Sequence, residues 1–101
     1  MKGLGTAQLK VLEAVAGGAA HGFDVIDRTG LASGSVYPAL SKLENAGLLR
    51  SRWEDASIAH REKRPPRRYY EITPAGGNAL EEALEEARGL ARSLARAVKA
   101  L

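Results

Sequence analysis

The sequence predicts an α+β fold that is mainly helical, and three observations carry that prediction. Apolar residues recur at helical spacing as far as Ala46. The period then switches to alternation on both sides of a basic loop. A heptad seam occupies the last quarter of the chain.

The first helix starts after Thr6, a good N-cap residue, and ends at Gly17-Gly18, with Leu4, Val11, Leu12 and Val15 on one face. A short second helix opens at His21-Gly22, turns Phe23 and Ile26 inward, and stops at Gly30. Leu31-Ala32 connects it to a third helix that runs to Ala46, with Gly47 as its C′ residue. The apolar stripe of this helix is Val36, Leu40 and Leu43. Ser33 and Ser35 compete for its N-cap. Ser35 is the better candidate, because it puts Pro38 in the first turn, where a missing N–H costs least.

After Gly47, Leu49 and Trp53 point one way and Arg50, Arg52 and Glu54 the other, which reads as a half-buried strand. A polar loop follows and ends in Lys63-Arg64-Pro65-Pro66. In the second strand Arg68, Tyr70 and Ile72 alternate with Tyr69 and Glu71. Thr73-Pro74 starts the last helix, with Thr as N-cap and Pro at N1. Its seam is Leu80, Leu84, Ala87, Ala91, Leu94, Val98 and Leu101, separated alternately by four and three residues, and Ala83, Leu90 and Ala97 widen it. A helix of about 27 residues is roughly 40 Å long, more than a small domain can cover, so the seam calls for a second copy of the chain. Glu81, Glu82, Glu85 and Glu86 come early and Arg88, Arg92, Arg96 and Lys99 late. That order complements the helix dipole and suits an antiparallel partner.

Helix, helix, tight turn, helix and ribbon together make a winged helix-turn-helix. The expected organisation is a DNA-binding domain over 1–73 and a dimerisation helix over 74–101. The third helix would enter the major groove, presenting Ser33, Gly34, Ser35, Tyr37, Ser41 and Lys42, with Pro38 in the same segment. Net charge is +3, yet residues 50–68 alone carry +4 and the remainder −1. Arg61, Lys63, Arg64, Arg67 and Arg68 of the wing would contact phosphates or the minor groove, with some pairing instead with Glu54, Glu62 or Glu71. A plain three-helix core explains the apolar stripes equally well. It does not explain a basic ribbon beside the third helix.

Other classes are disfavoured. The absence of cysteine removes disulfides, thiol nucleophiles and Cys-based zinc sites. His21 and His60 are far apart, and no Gly-rich phosphate loop or catalytic set is visible, so neither an enzyme nor a cofactor is expected. No apolar run reaches membrane-spanning length, and MKGLGTAQLK has no signal-peptide stretch, so a soluble cytoplasmic protein is expected. The partners expected are double-stranded DNA and a second copy of the chain. Two other functions stay open: a regulator with a small-molecule effector between the subunits, and a winged-helix module for protein–protein assembly.

The stretch HGFDVIDRTGLASGSVYPALSKLENAGLL, from His21 to Leu49, closely resembles the core of the PadR family of transcriptional regulators, and so does RPPRRYYEITPAG, from Arg64 to Gly76. The resemblance implies a winged-helix domain, a C-terminal dimerisation helix and repression by operator binding. It places Ser33 to Lys42 on the recognition helix and Arg64 to Tyr70 on the wing. Some short members bind planar hydrophobic effectors at the dimer interface. The chain departs from the pattern in three places. Lys63 stands where many members have Gly, Gly77 stands where a helix former is commoner, and the last helix lacks Trp, Phe and Tyr.

Overall fold

A computed structural model describes residues 3–101. Three helices come first: α1 (Thr6–Ala16), α2 (Gly22–Thr29) and α3 (Ser33–Asn45). The strand β1 (Leu49–Trp53), the short helix α4 (Ala56–Arg61) and the strand β2 (Arg68–Ile72) form the wing. The helix α5 (Pro74–Lys99) completes the chain. The two strands are antiparallel, with Leu49 opposite Ile72 and Trp53 opposite Arg68. On the other edge of β2, His21 forms a single bridge to Tyr69, and the Tyr70 amide donates to the Ala20 carbonyl at 2.8 Å. The start of α2 is thereby tied to the wing.

The core is aliphatic. Leu12, Leu40, Leu43, Leu49, Val11, Val25 and Val36 are its largest fully buried side chains, drawn from α1, α2, α3 and β1. Burying each contributes about 1.5–3 kcal/mol. Helices α1 and α3 end in Schellman turns. Leu48 N donates to Leu43 O and Gly47 N to Glu44 O, with Gly47 at φ 77°, a conformation that favours glycine. Thr73 caps α5 as expected, its Oγ1 accepting from Gly76 N at 3.1 Å. Gly76 itself is where α5 crosses the α3–β1 turn. A Cβ there would lie 2.2 Å from the Leu48 carbonyl oxygen, so only glycine allows the crossing.

Several expectations are corrected. The N-cap of α1 is Gly5, not Thr6, and the Gln8 side chain accepts from the Gly5 amide at 3.2 Å. The N-cap of α3 is Ala32, not Ser35, and Pro38 lies inside the helix. The early start is held by the Ala32 carbonyl, which accepts from both Ser35 N and Val36 N. The carbonyl of Gly34, four residues before Pro38, receives no helical N–H. Both residues are on the exposed face, where the carbonyl is open to solvent and the missing bond costs least.

Phe23 does not face inward; it is 66% exposed. Gly22 and Val25 take the buried face of α2, and one residue of helical rotation, about 100°, turns Phe23 to solvent. Trp53 shares a strand face with Leu49 but is 62% exposed. Four residues carry it about 13 Å further, beyond the edge of the core. Glu54, expected outside, is buried. The connection between the strands is not a plain polar loop, because it contains α4. Its signal in the sequence was Asp55, whose carboxylate caps the helix by accepting from Ser57 N at 2.8 Å.

Candidate nucleic-acid interface

The stripe of Val36, Ala39, Leu40 and Leu43 turns the inner face of α3 into the core. The opposite face follows from that. Ser33, Gly34, Ser35, Tyr37, Pro38, Ser41 and Lys42 are all exposed. Tyr37 leans back on α2: a Cβ added at Gly22 would come 2.6 Å from its hydroxyl and its Cε1. Glycine at 22 therefore permits this close approach of α2 and α3.

The wing is built around a buried carboxylate. Glu54 accepts from Arg64 Nη1 at 2.6 Å and Arg64 Nη2 at 2.9 Å, from the Tyr69 hydroxyl at 3.0 Å and from the Arg67 amide at 3.3 Å. Its own amide donates to the Arg67 carbonyl at 2.8 Å. The paired hydrogen bonds from Arg64 outweigh the cost of desolvation and lower the Glu54 pKa from 4.5 to about 2. Arg64 can reach Glu54 because Lys63 adopts a left-handed conformation, φ 55°. That residue closes α4 in a third Schellman turn, with Arg64 N donating to Ala59 O and Lys63 N to His60 O. Glycine would adopt this conformation without the steric cost that the Lys63 side chain bears.

The basic residues of the wing divide into two groups. Arg64 spends its guanidinium on Glu54. Arg68 donates to Ser51 Oγ at 2.9 Å, lies 3.5 Å from Glu44 and covers the Trp53 ring at 5.1 Å. Arg50, outside the expected set, pairs with Glu71. Arg61 and Lys63 are exposed, Arg67 is half-buried, and the side chains of all three have no ion-pair or hydrogen-bond partner among the described residues. Arg52 is exposed and lies over the Tyr69 ring at 5.2 Å.

Between α2, α3 and the wing lies a groove of about 390 Å³, walled by Phe23, Tyr37, Trp53, Pro65 and Pro66 with Arg67 among its cations. Sequence reasoning missed it by sending Phe23 and Trp53 to the core. The spacing of Gly22, Val25 and Thr29, which leaves Phe23 off the buried face, was the available signal. Along α5 the expected seam is present as a bare surface. Leu80 packs on the core, whereas Leu84, Leu94, Val98 and Leu101 are exposed, and so is every residue from Ala91 to Leu101. Ala87 and Ala91 continue the stripe.

The sequence pattern of the transcriptional regulator PadR-like family matches residues 11–82, most of the chain, from the middle of α1 to the first turns of α5. The chain belongs to the PadR-like family. It is accordingly a DNA-binding transcriptional regulator and not an enzyme. Solved structures carry the same fold. A PadR family regulator from Clostridium difficile R20291 superposes with TM-score 0.80 at 19% identity, over 93% of this chain and 99% of that one. A PadR-like factor from Bacteroides fragilis gives 0.76 at 23% identity, over 88% and 86%. BpsR of Bordetella bronchiseptica, whose DNA binding is regulated by 6-hydroxynicotinic acid, gives 0.72 at 24% identity, over 89% and 64%. No functionally curated protein matches the chain. No helix among the described residues is long and apolar enough to cross a membrane.

Proposed function

We propose that this PadR-like protein represses transcription as a homodimer bound to a palindromic operator. Residues 1–73 form the DNA-binding part and residues 74–101 the pairing helix. The observation that carries this reading is the bare apolar stripe of α5. Exposure of Leu84, Leu94 and Leu101 forgoes roughly 1.5–3 kcal/mol each, which a second chain restores. Two-fold pairing sets two copies of α3 on one face of a duplex, where half-sites recur after about one turn, roughly 34 Å. Ser33, Gly34, Ser35, Tyr37, Ser41 and Lys42 then face base edges. Arg61, Lys63 and Arg67, with uncommitted side chains, face phosphates. Arg64 and Arg68 brace the wing that presents them. A protein with one reading domain and one pairing helix represses most simply by covering a promoter, and this occurs in the cytoplasm.

Selection of bound sequences from random duplexes, followed by sedimentation of the complex, tests the proposal. The expected product is an inverted repeat bound by two chains. Selected sites without dyad symmetry, or one chain per site, would overturn it.

A further inference from the structure

We infer that the groove between α2, α3 and the wing seats one sugar–phosphate strand of bound DNA, with Phe23 and Trp53 against the deoxyribose rings and Arg67 on a phosphate. The inference rests on the reading of α3 as the element in the major groove. A major groove and the minor groove beside it share one strand as their common wall. A protein with α3 in the first and a wing at the second straddles that strand. The space left for it is this groove, lined by Tyr37 of α3 and by Pro65, Pro66 and Arg67 of the wing. Phe23 and Trp53 belong neither to the face of α3 turned to base edges nor to the cations turned to phosphates, yet both stand in its walls. The chain has five residues of the Phe, Trp and Tyr types, and four of them, Phe23, Tyr37, Trp53 and Tyr70, line it. Phe23 is 66% exposed, Trp53 62% and Tyr37 44%. An exposed apolar concavity of this kind marks a binding surface.

The walls are fixed before any DNA arrives. The bridge between His21 and Tyr69 and the hydrogen bond from Tyr70 N to Ala20 O tie the start of α2 to the wing, which keeps Phe23 beside it. Charge agrees with the occupant. Among the described residues no carboxylate lines the groove, whereas three arginines do. Arg64 is held by Glu54, and Arg68 by Ser51 and the Trp53 ring. Arg67 differs. Its backbone is pinned on both sides, its N–H to Glu54 Oε1 and its carbonyl to the Glu54 amide, while its guanidinium has no partner among the described residues. A fixed backbone carrying a free fork suits the paired oxygens of a phosphate. A neutral apolar occupant would leave the cation unused, and a bare anion would leave the rings unused. A sugar–phosphate strand uses both, because its phosphates alternate with rings whose C2′ is a methylene.

The consequence is a preference for deoxyribose. A ribose at the same place would press its 2′-hydroxyl against Phe23 or Trp53. Neither ring offers it a hydrogen-bond partner, and a hydroxyl buried without one is costly. The groove thus selects DNA over RNA through the sugar, independently of the bases that α3 reads.

Binding of a selected operator duplex to the full chain tests this. Trp53 is the only tryptophan, so its fluorescence reports on the groove and should change when the duplex is added. Phe23→Ala and Trp53→Ala should each weaken the duplex about tenfold. Their slopes of log K against log salt should match that of the unaltered chain, since no phosphate contact is lost. Phe23→Leu, which keeps an apolar wall, should retain most of the affinity. Arg67→Gln should instead reduce the magnitude of the slope by about 0.9. Both rings are exposed, so the ring variants should keep their melting temperature. Single ribonucleotides placed along the operator should weaken binding where the strand lies in the groove. Single 2′-fluoro nucleotides, which share the ribose pucker but donate no hydrogen bond, should not. The ribonucleotide penalty should vanish in the Phe23→Ala, Trp53→Ala double variant. Undiminished affinity in both ring variants, a Trp53 signal that ignores the duplex, or equal tolerance of ribonucleotides at every position would overturn the inference. Failure of the α3 reading would show separately, as unchanged discrimination between operator and random duplex in the Ser35→Ala, Lys42→Ala double variant.

Discussion

Glu54 and Arg64 stand at the two ends of the α4 excursion and close it, carboxylate to guanidinium, through hydrogen bonds of 2.6 and 2.9 Å. Because the Glu54 pKa falls to about 2, folding favours its ionised form. The stability that this contributes is complete above the ordinary value of 4.5 and is lost as pH falls toward about 2. An acid titration followed by the Trp53 signal should therefore show the wing loosening across that window. Glu54→Gln should remove the dependence and lower the melting temperature at neutral pH, since Arg64 keeps its half-buried charge without its partner. An unchanged acid profile in the variant would contradict this.

Lys63 is the sole non-glycine residue with positive φ among those described. Lys63→Gly should stabilise the protein by about 0.5–1 kcal/mol, by removing the steric penalty of a left-handed side chain. Urea denaturation measures it. A β-branched residue at the same place should destabilise by a similar or larger amount. A destabilising glycine would mean that the Lys63 side chain contributes more than its backbone costs.

The division of the wing cations predicts two kinds of mutant. Replacing Arg61 and Lys63 by Ala should reduce the magnitude of the log K against log salt slope by about 1.8, one phosphate contact each. Arg64→Ala should instead lower the melting temperature through loss of the Glu54 brace, which thermal denaturation detects. A normal melting temperature in Arg64→Ala, with a flattened salt slope, would make Arg64 a phosphate ligand and not a brace.

Leu84→Glu with Leu94→Glu should put like charges into the α5 seam. Sedimentation equilibrium should then find monomers, and gel shift should find little operator affinity. The winged region should stay folded, because neither side chain is buried in the single chain. A stable dimer would place the pairing surface elsewhere.

Much of this fold could be read before any coordinates. The apolar periods located α1, α2, α3, both strands and α5, and Gly30, Gly47 and Thr73-Pro74 marked boundaries through chemistry that acts within a few residues. The misplacements concern Phe23, Trp53 and Glu54, and they share a cause. Local periodicity tells which face a residue occupies but not where the core beneath that face stops. Trp53 lies past the edge of the core, and Glu54 is buried only because α4 folds Arg64 over it. That burial depends on Lys63 adopting a conformation that lysine seldom takes. The outward face of α3 was legible because its inward stripe is unambiguous. The groove was not, since it requires the wing and α2 to meet through the bridge between His21 and Tyr69.

In the far half of α5, from Ala91 onward, every residue is exposed. Substitutions there are remote from the core, and the effects of distant, independent sites add with little coupling. In the proposed dimer, choice of mate and choice of operator can therefore drift separately. If α5 pairs as proposed, a few exchanges at Leu94, Val98 or Leu101 after a gene duplication would suffice to stop two sister proteins from forming mixed pairs, while both continued to recognise the ancestral sequence.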